Sequence, residues 1–168
     1  MAINIAVVGQ SKCGKSAWIH RITTGAFLKP TDGILWTFRI FKTTCGDIKV
    51  KFIECTDFQK LPNAAILMYD VLNKSSLDYV LEMKPETIPF VLCGTKADRV
   101  KTEYSYECDD DCGVEKEVST NAVYPPFEEF HGKYKFYEIS ALSNYNLEKP
   151  ILEILRVLKN DPKLEFIA

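Results

Sequence analysis

No apolar run in this 168-residue chain approaches the length needed to cross a bilayer, and charge of neither sign dominates. Its 21 lysines and arginines face 23 aspartates and glutamates, a net charge of −2. The first absence excludes a spanning helix. The second removes the basic field that holds nucleic acid or an anionic membrane, so neither is expected as a direct ligand. Histidine is scarce: His20 and His131 stand alone and read as packing or surface residues, not as bases or metal ligands. The six cysteines form no disulfide framework. Cys13 sits in a glycine-containing loop and Cys93 in an apolar strand, a pattern of reduced thiols that places the chain inside the cell, in cytoplasm or nucleus. Cys108-Asp109-Asp110-Asp111-Cys112 lacks the second thiol pair of a structural zinc site. The sequence ends Phe166-Ile167-Ala168 without a prenylation cysteine, and its first apolar segment runs directly into a loop, unlike a signal peptide; no membrane anchor is expected.

What is present is material for one packed core. With 46% apolar residues, residues 1–168 are expected to form a single domain and a monomer. Gly9-Gln10-Ser11-Lys12-Cys13-Gly14-Lys15-Ser16 fit the pattern G-x-x-x-x-G-K-[ST]. They stand between a strand, Ile3 to Val8, and a helix opening at Ala17. Glycines let successive backbone N–H groups turn toward a polyphosphate, Lys15 adds a cation, Ser16 offers a hydroxyl to a magnesium ion, and the helix N-terminus adds its dipole. A bound nucleotide is the expectation. Lys12 either lies beside the phosphates as an additional cation or points to solvent.

The rest alternates strands and helices. Trp36 to Phe41 and Ile48 to Ile53 alternate in polarity around the turn Thr44-Cys45-Gly46-Asp47, which predicts an antiparallel hairpin. Ala64 to Tyr69 and Phe90 to Cys93 are apolar runs suited to central parallel strands. Between them Ser75 to Met83 reads as a helix capped by Asn73 or Ser75. Lys135 to Ile139 reads as a last strand, and Leu147 to Leu158 as an amphipathic helix. The acidic stretch Glu107 to Glu117 reads as a solvated loop. The alternation predicts an α/β three-layer sandwich with a mostly parallel sheet and one antiparallel edge hairpin. No internal repeat is found.

Two strand ends select the base. One runs into Thr95-Lys96-Ala97-Asp98, the other into Ser140-Ala141-Leu142. An aspartate accepts two hydrogen bonds from the N–H edge of guanine, which adenine lacks. A lysine stem can lie flat on the ring, and the Ala141 N–H can donate to the guanine carbonyl. Asp70, closing the Ile66-Leu67-Met68-Tyr69 run, reads as a strand-end residue. A metal-holding role there belongs with nucleotide kinases, whose arginine-rich lid is not supplied by Arg21, Arg39, Arg99 and Arg156.

Residues 88–98, 140–150 and 161–168, with the phosphate loop, resemble small GTPases of the Ras superfamily, and its Ran branch in particular. The resemblance implies a P-loop G domain on a six-stranded sheet, Phe27 stacked on the guanine, binding of GTP and GDP with Mg2+, and partners of the nuclear-transport-receptor type. Family members carry Asn where Thr95 stands, a change that costs a hydrogen bond.

The same resemblance exposes departures. Where the family has Asp-Thr-Ala-Gly-Gln, this chain has Glu54-Cys55-Thr56-Asp57-Phe58. Glu54 is the candidate for the metal shell beside Ser16, and Thr31 the candidate sensor of the γ-phosphate and third metal residue. The position of the water-orienting glutamine is Phe58, so no catalytic residue is assigned. Independently, the nine residues Cys55 to Asn63 are fewer than a parallel crossover usually takes. The expectation is a Ran-like GTP-binding protein with weak or absent intrinsic hydrolysis. The alternatives are a non-hydrolysing G-domain module competing for Ran partners and, less favoured, a P-loop nucleotide kinase.

Overall fold

The computed structural model describes residues 1–27, 36–58, 62–100, 102–107, 114–119, 122–126 and 135–167. Eight strands and three helices are found among them. They run in the order β1 (Ile3–Val8), α1 (Lys15–Thr24), β2 (Trp36–Thr43), β3 (Gly46–Cys55), β4 (Ala64–Asp70), α2 (Lys74–Glu82) and β5 (Phe90–Thr95). After a 3-10 turn at Ala97–Arg99 come β6 (Thr102–Glu107), β7 (Val114–Ser119), β8 (Lys135–Glu138) and α3 (Lys149–Lys159).

Six strands form one sheet in the order β2-β3-β1-β4-β5-β8. Only β2 and β3 are antiparallel, pairing from Trp36↔Ile53 to Thr43↔Gly46; the remaining pairs are parallel. Successive residues of a strand face opposite sides, and β1 shows the result. Ile5 and Val7 join Trp18 and Ile19 of α1, Val50 and Phe52 of β3, and Ile151 and Ile154 of α3 in one core. Ala6 and Val8 join Leu67 and Tyr69 of β4 and Leu77 and Val80 of α2 in the other. Helices therefore cover both faces, the three-layer arrangement expected of buried parallel strands.

Helix limits follow local chemistry. Asn73, not Ser75, caps α2, its side chain accepting from the Ser76 N–H at 3.3 Å. The final helix begins at Lys149 rather than Leu147: Pro150 occupies its first turn, where a missing N–H costs nothing, and Leu147 is buried just ahead. Past α3 the chain folds back on the β2–β3 turn. The Thr44 N–H donates to the Glu165 carbonyl and the Ile167 N–H to the Lys42 carbonyl, both at 3.0 Å. Phe166 stacks on Phe41, centroids 5.0 Å apart.

Two expectations need correction. The acidic stretch is not wholly a loop: Glu107 closes β6 and Val114 to Glu117 open β7, which pair antiparallel from Thr102↔Ser119 to Glu107↔Val114. Thr102-Glu103-Tyr104-Ser105-Tyr106 and Val114-Glu115-Lys116-Glu117-Val118 alternate with the period of a strand, which the acidic composition masked. Residues 108–113 lie outside the described residues. Secondly, Cys55 belongs to β3, so the link to β4 is residues 56–63, joining strands on either side of β1. No helix of the described residues is long and apolar enough to cross a membrane.

Candidate functional site

The loop after β1 is held against the sheet by its own glycines. A Cβ at Gly9 would lie 2.3 Å from the Met68 carbonyl oxygen, closer than real side chains come, so only glycine lets the loop leave β1 so near β4. Gly14 precedes α1 at φ 108°, a left-handed conformation open to glycine and costly for other residues. The Cys13 side chain is buried. Burial pushes its thiol pKa up, against the lowering charge of Lys15, so it packs and is not a nucleophile.

Lys15 opens α1 and is nearly inaccessible, 5% exposed. Its ammonium donates to the carbonyls of Gly9 at 2.8 Å and Gln10 at 3.0 Å and stands 4.0 Å from Glu54 Oε1. Ser16 Oγ lies 2.8 and 2.7 Å from the two Glu54 oxygens. The end of β3 thus brings a carboxylate to the loop's cation and hydroxyl. These hard oxygens fit magnesium, which takes one or two protein oxygens and completes its shell with phosphate oxygens and water. Among the described residues no three His, Cys, Asp or Glu side chains converge to hold an ion. Thr31 lies outside the described residues.

Beside the loop stand the ends of β5 and β8. Thr95 is buried; its hydroxyl donates to the Cys13 carbonyl, with the Tyr69 carbonyl 2.9 Å away, and so ties the loop to β5. Lys96 adopts φ 61°, and its ammonium reaches back to the Lys12 carbonyl at 2.9 Å and to Asp70 Oδ2 at 2.6 Å. Asp98 accepts a 2.5 Å hydrogen bond from Ser140 Oγ. Ser140 is fully buried. Its loop is closed by paired bonds with Tyr145 at 3.1 and 3.0 Å.

These elements enclose one cavity of about 1610 Å3. Ser11, Lys12, Gly14, Lys15, Ser16, Ala17, Phe27, Glu54, Thr95, Lys96, Asp98, Ala141 and Leu142 line it; Gly9, Gln10, Cys13 and Ser140 stand behind that lining. The structure gathers in one place residues separated by more than a hundred positions. Lys12 is exposed and lines the cavity, and its backbone carbonyl accepts from Lys96. His20 bonds the Ala26 carbonyl at 3.0 Å through Nδ1; His131 lies outside the described residues.

The cavity continues past Glu54 to Cys55, Thr56, Asp57, Phe58, Trp36, Lys51 and Ile53. Asp57 is exposed. Phe58 packs against the apolar cluster of Leu67, Val80 and Leu92, which leaves no side-chain donor at its position. Both described ends of the 56–63 link are tied: the Tyr79 hydroxyl donates to the Thr56 carbonyl at 2.7 Å, and Asn63 exchanges bonds with Asn4 at 2.7 and 2.9 Å.

One residue was underread in the sequence. Asp70 is a strand-end residue, but its carboxylate is the partner of Lys96. The signal was available: neighbouring parallel strands that end together place their last residues side by side, and Asp70 is in register with Thr95.

A model of the Ras family matches residues 4–160.

Proposed function

Taking as premise that the chain belongs to the Ras family, and so is a small GTP-binding protein, we propose that it binds GTP and GDP with Mg2+ in this cavity and turns GTP over slowly or not at all. The observation that carries the binding is the convergence of Lys15 and Ser16 with Lys96, Asp98 and the Ser140–Leu142 loop. In this reading the loop N–H groups and Lys15 hold the phosphates, the Lys96 stem lies on the purine, and Ser140 holds Asp98 toward the guanine N–H edge. Asp98 rejects adenine because the carboxylate would be left unpaired in a site built to be satisfied. Bound magnesium would neutralise phosphate charge, with Ser16 and Glu54 as its protein partners.

Slow turnover is inferred from the other end. Phosphoryl transfer is catalysed almost wholly by positioning and electrostatics. Phe58 offers nothing to orient water, and Asp57 brings negative charge where developing phosphate charge needs a donor. The test is single-turnover hydrolysis on GTP-loaded protein. A rate below the roughly 10⁻⁴ per second of an unassisted small GTPase is expected, and an equal or faster rate overturns this half of the proposal.

The partner reading is Ran-like, acting in cytoplasm or nucleus on transport-type receptors; it is supported by the likeness of residues 88–98, 140–150 and 161–168 to the Ran branch. A second reading, a nucleotide-holding module that competes for such receptors without cycling, is favoured by Asp57 and Phe58. Receptor capture by GTP-loaded against GDP-loaded protein separates the two: nucleotide-dependent capture supports the switch, equal capture the competitor.

A further inference from the structure

We propose that Asp70 is a positioning residue of the base subsite, holding the Lys96 ammonium so that the lysine stem is laid out in advance as a platform for the purine; this rests on the guanine-nucleotide reading above. Asp70 closes β4 in register with Thr95, the last residue of β5, so the next residue, Lys96, emerges beside it. The left-handed backbone of Lys96 at φ 61° turns its side chain back across the phosphate loop. There the ammonium meets Asp70 Oδ2 at 2.6 Å and the Lys12 carbonyl at 2.9 Å.

The carboxylate is itself fixed. Its Oδ1 accepts from the Leu72 N–H at 3.0 Å, its backbone N–H donates to Ser76 Oγ at 3.0 Å, and its side chain is 13% exposed. Arg99 stands at 4.0 Å. A lysine has among the largest rotamer freedoms to lose on binding, and a charged partner held by the backbone removes that freedom before the ligand arrives. Lys12, Lys96, Asp98 and Arg99 line the cavity, and Asp70 does not. An effect of Asp70 on the nucleotide therefore passes through the cations it contacts, chiefly Lys96 at 2.6 Å and more distantly Arg99 at 4.0 Å.

The test is a double-mutant cycle on the full chain, read as the dissociation rate of GDP in Mg2+ buffer, with thermal unfolding as the control for folding. Asp70→Asn is expected to speed dissociation about tenfold, the scale of one charge-assisted hydrogen bond, and Asp70→Glu to recover part of the loss. In a Lys96→Met background Asp70→Asn is expected to change nothing further. Asp70→Ser carries the same comparison should Asp70→Asn not fold. Unaltered dissociation in the single variant, or the same acceleration with and without Lys96, overturns the assignment while leaving guanine-nucleotide binding in place. A protein that binds no guanine nucleotide before any substitution overturns both.

Discussion

At one end of the cavity three residues each have a second residue holding them: Asp98 has Ser140, Lys96 has Asp70 and the Lys12 carbonyl, and Thr95 has Cys13. At the other end, among the described residues, Glu54 engages the phosphate loop through Ser16 and Lys15. Next to it the Cys55 thiol is pushed up to about 11 by burial and then by the charge of Asp57, and Phe58 faces an apolar cluster. The contrast separates holding from turnover. Holding a nucleotide takes fixed donors and acceptors, which survive in the first region. Turnover takes a group that places water, and in the proposed reading Phe58, which packs against the apolar cluster, does not supply one.

The comparison breaks most completely at the residue the two ends share. Lys15→Ala removes a buried cation from the phosphate cradle, and nucleotide carried through purification is expected to disappear, a loss of at least about a hundredfold in affinity. A Lys15→Ala protein that still purifies fully loaded would show that the loop no longer holds phosphate. Next in size is the base end alone. Asp98→Asn is expected to weaken GTP by about tenfold or more and to favour xanthosine nucleotides, whose edge presents an acceptor where guanine presents a donor; competition titrations with GTP, XTP and ATP read this directly. If unmutated protein binds ATP and GTP alike, the base end does not discriminate. The smallest change is expected where the second region is repaired by one residue. Phe58→Gln should alter the single-turnover rate by less than about threefold, because a side chain on a short tied link is not placed over the attacking water. A large rise would mean that Phe58 alone, and not the link, sets the rate.

Much of this was legible in the residues. Strands β1, β4 and β5 declared themselves as short apolar runs, and the hairpin by its alternation and Gly46 turn. The phosphate loop and Asp98 were readable because their chemistry is local: a glycine pattern before a helix, an acid at a strand end. What escaped depends on register and on pairing across the chain. Asp70 acquires its partner only when β4 and β5 end together. The Glu54–Ser16 contact depends on β3 lying beside β1, with Val8 opposite Cys55. The β6–β7 pair was hidden because acidic content argues for solvent while saying nothing about a two-residue period.

The link between β3 and β4 carries a further consequence, in communication. Register places Cys55 opposite Val8 and Ala64 opposite Ile5, so its ends are separated by three residues along the sheet and two strand spacings across it, about 14 Å. Eight residues reach about 26 Å when extended, more than that separation. A nucleotide can bias a segment only through two arrangements that differ in affinity for it. Thr56 and Asn63, at its described ends, are held by Tyr79 and Asn4, so a rearrangement starting at either end must break a hydrogen bond. By reciprocity, a partner that favours the broken arrangement would distinguish GTP from GDP only by the factor with which the triphosphate also favours it.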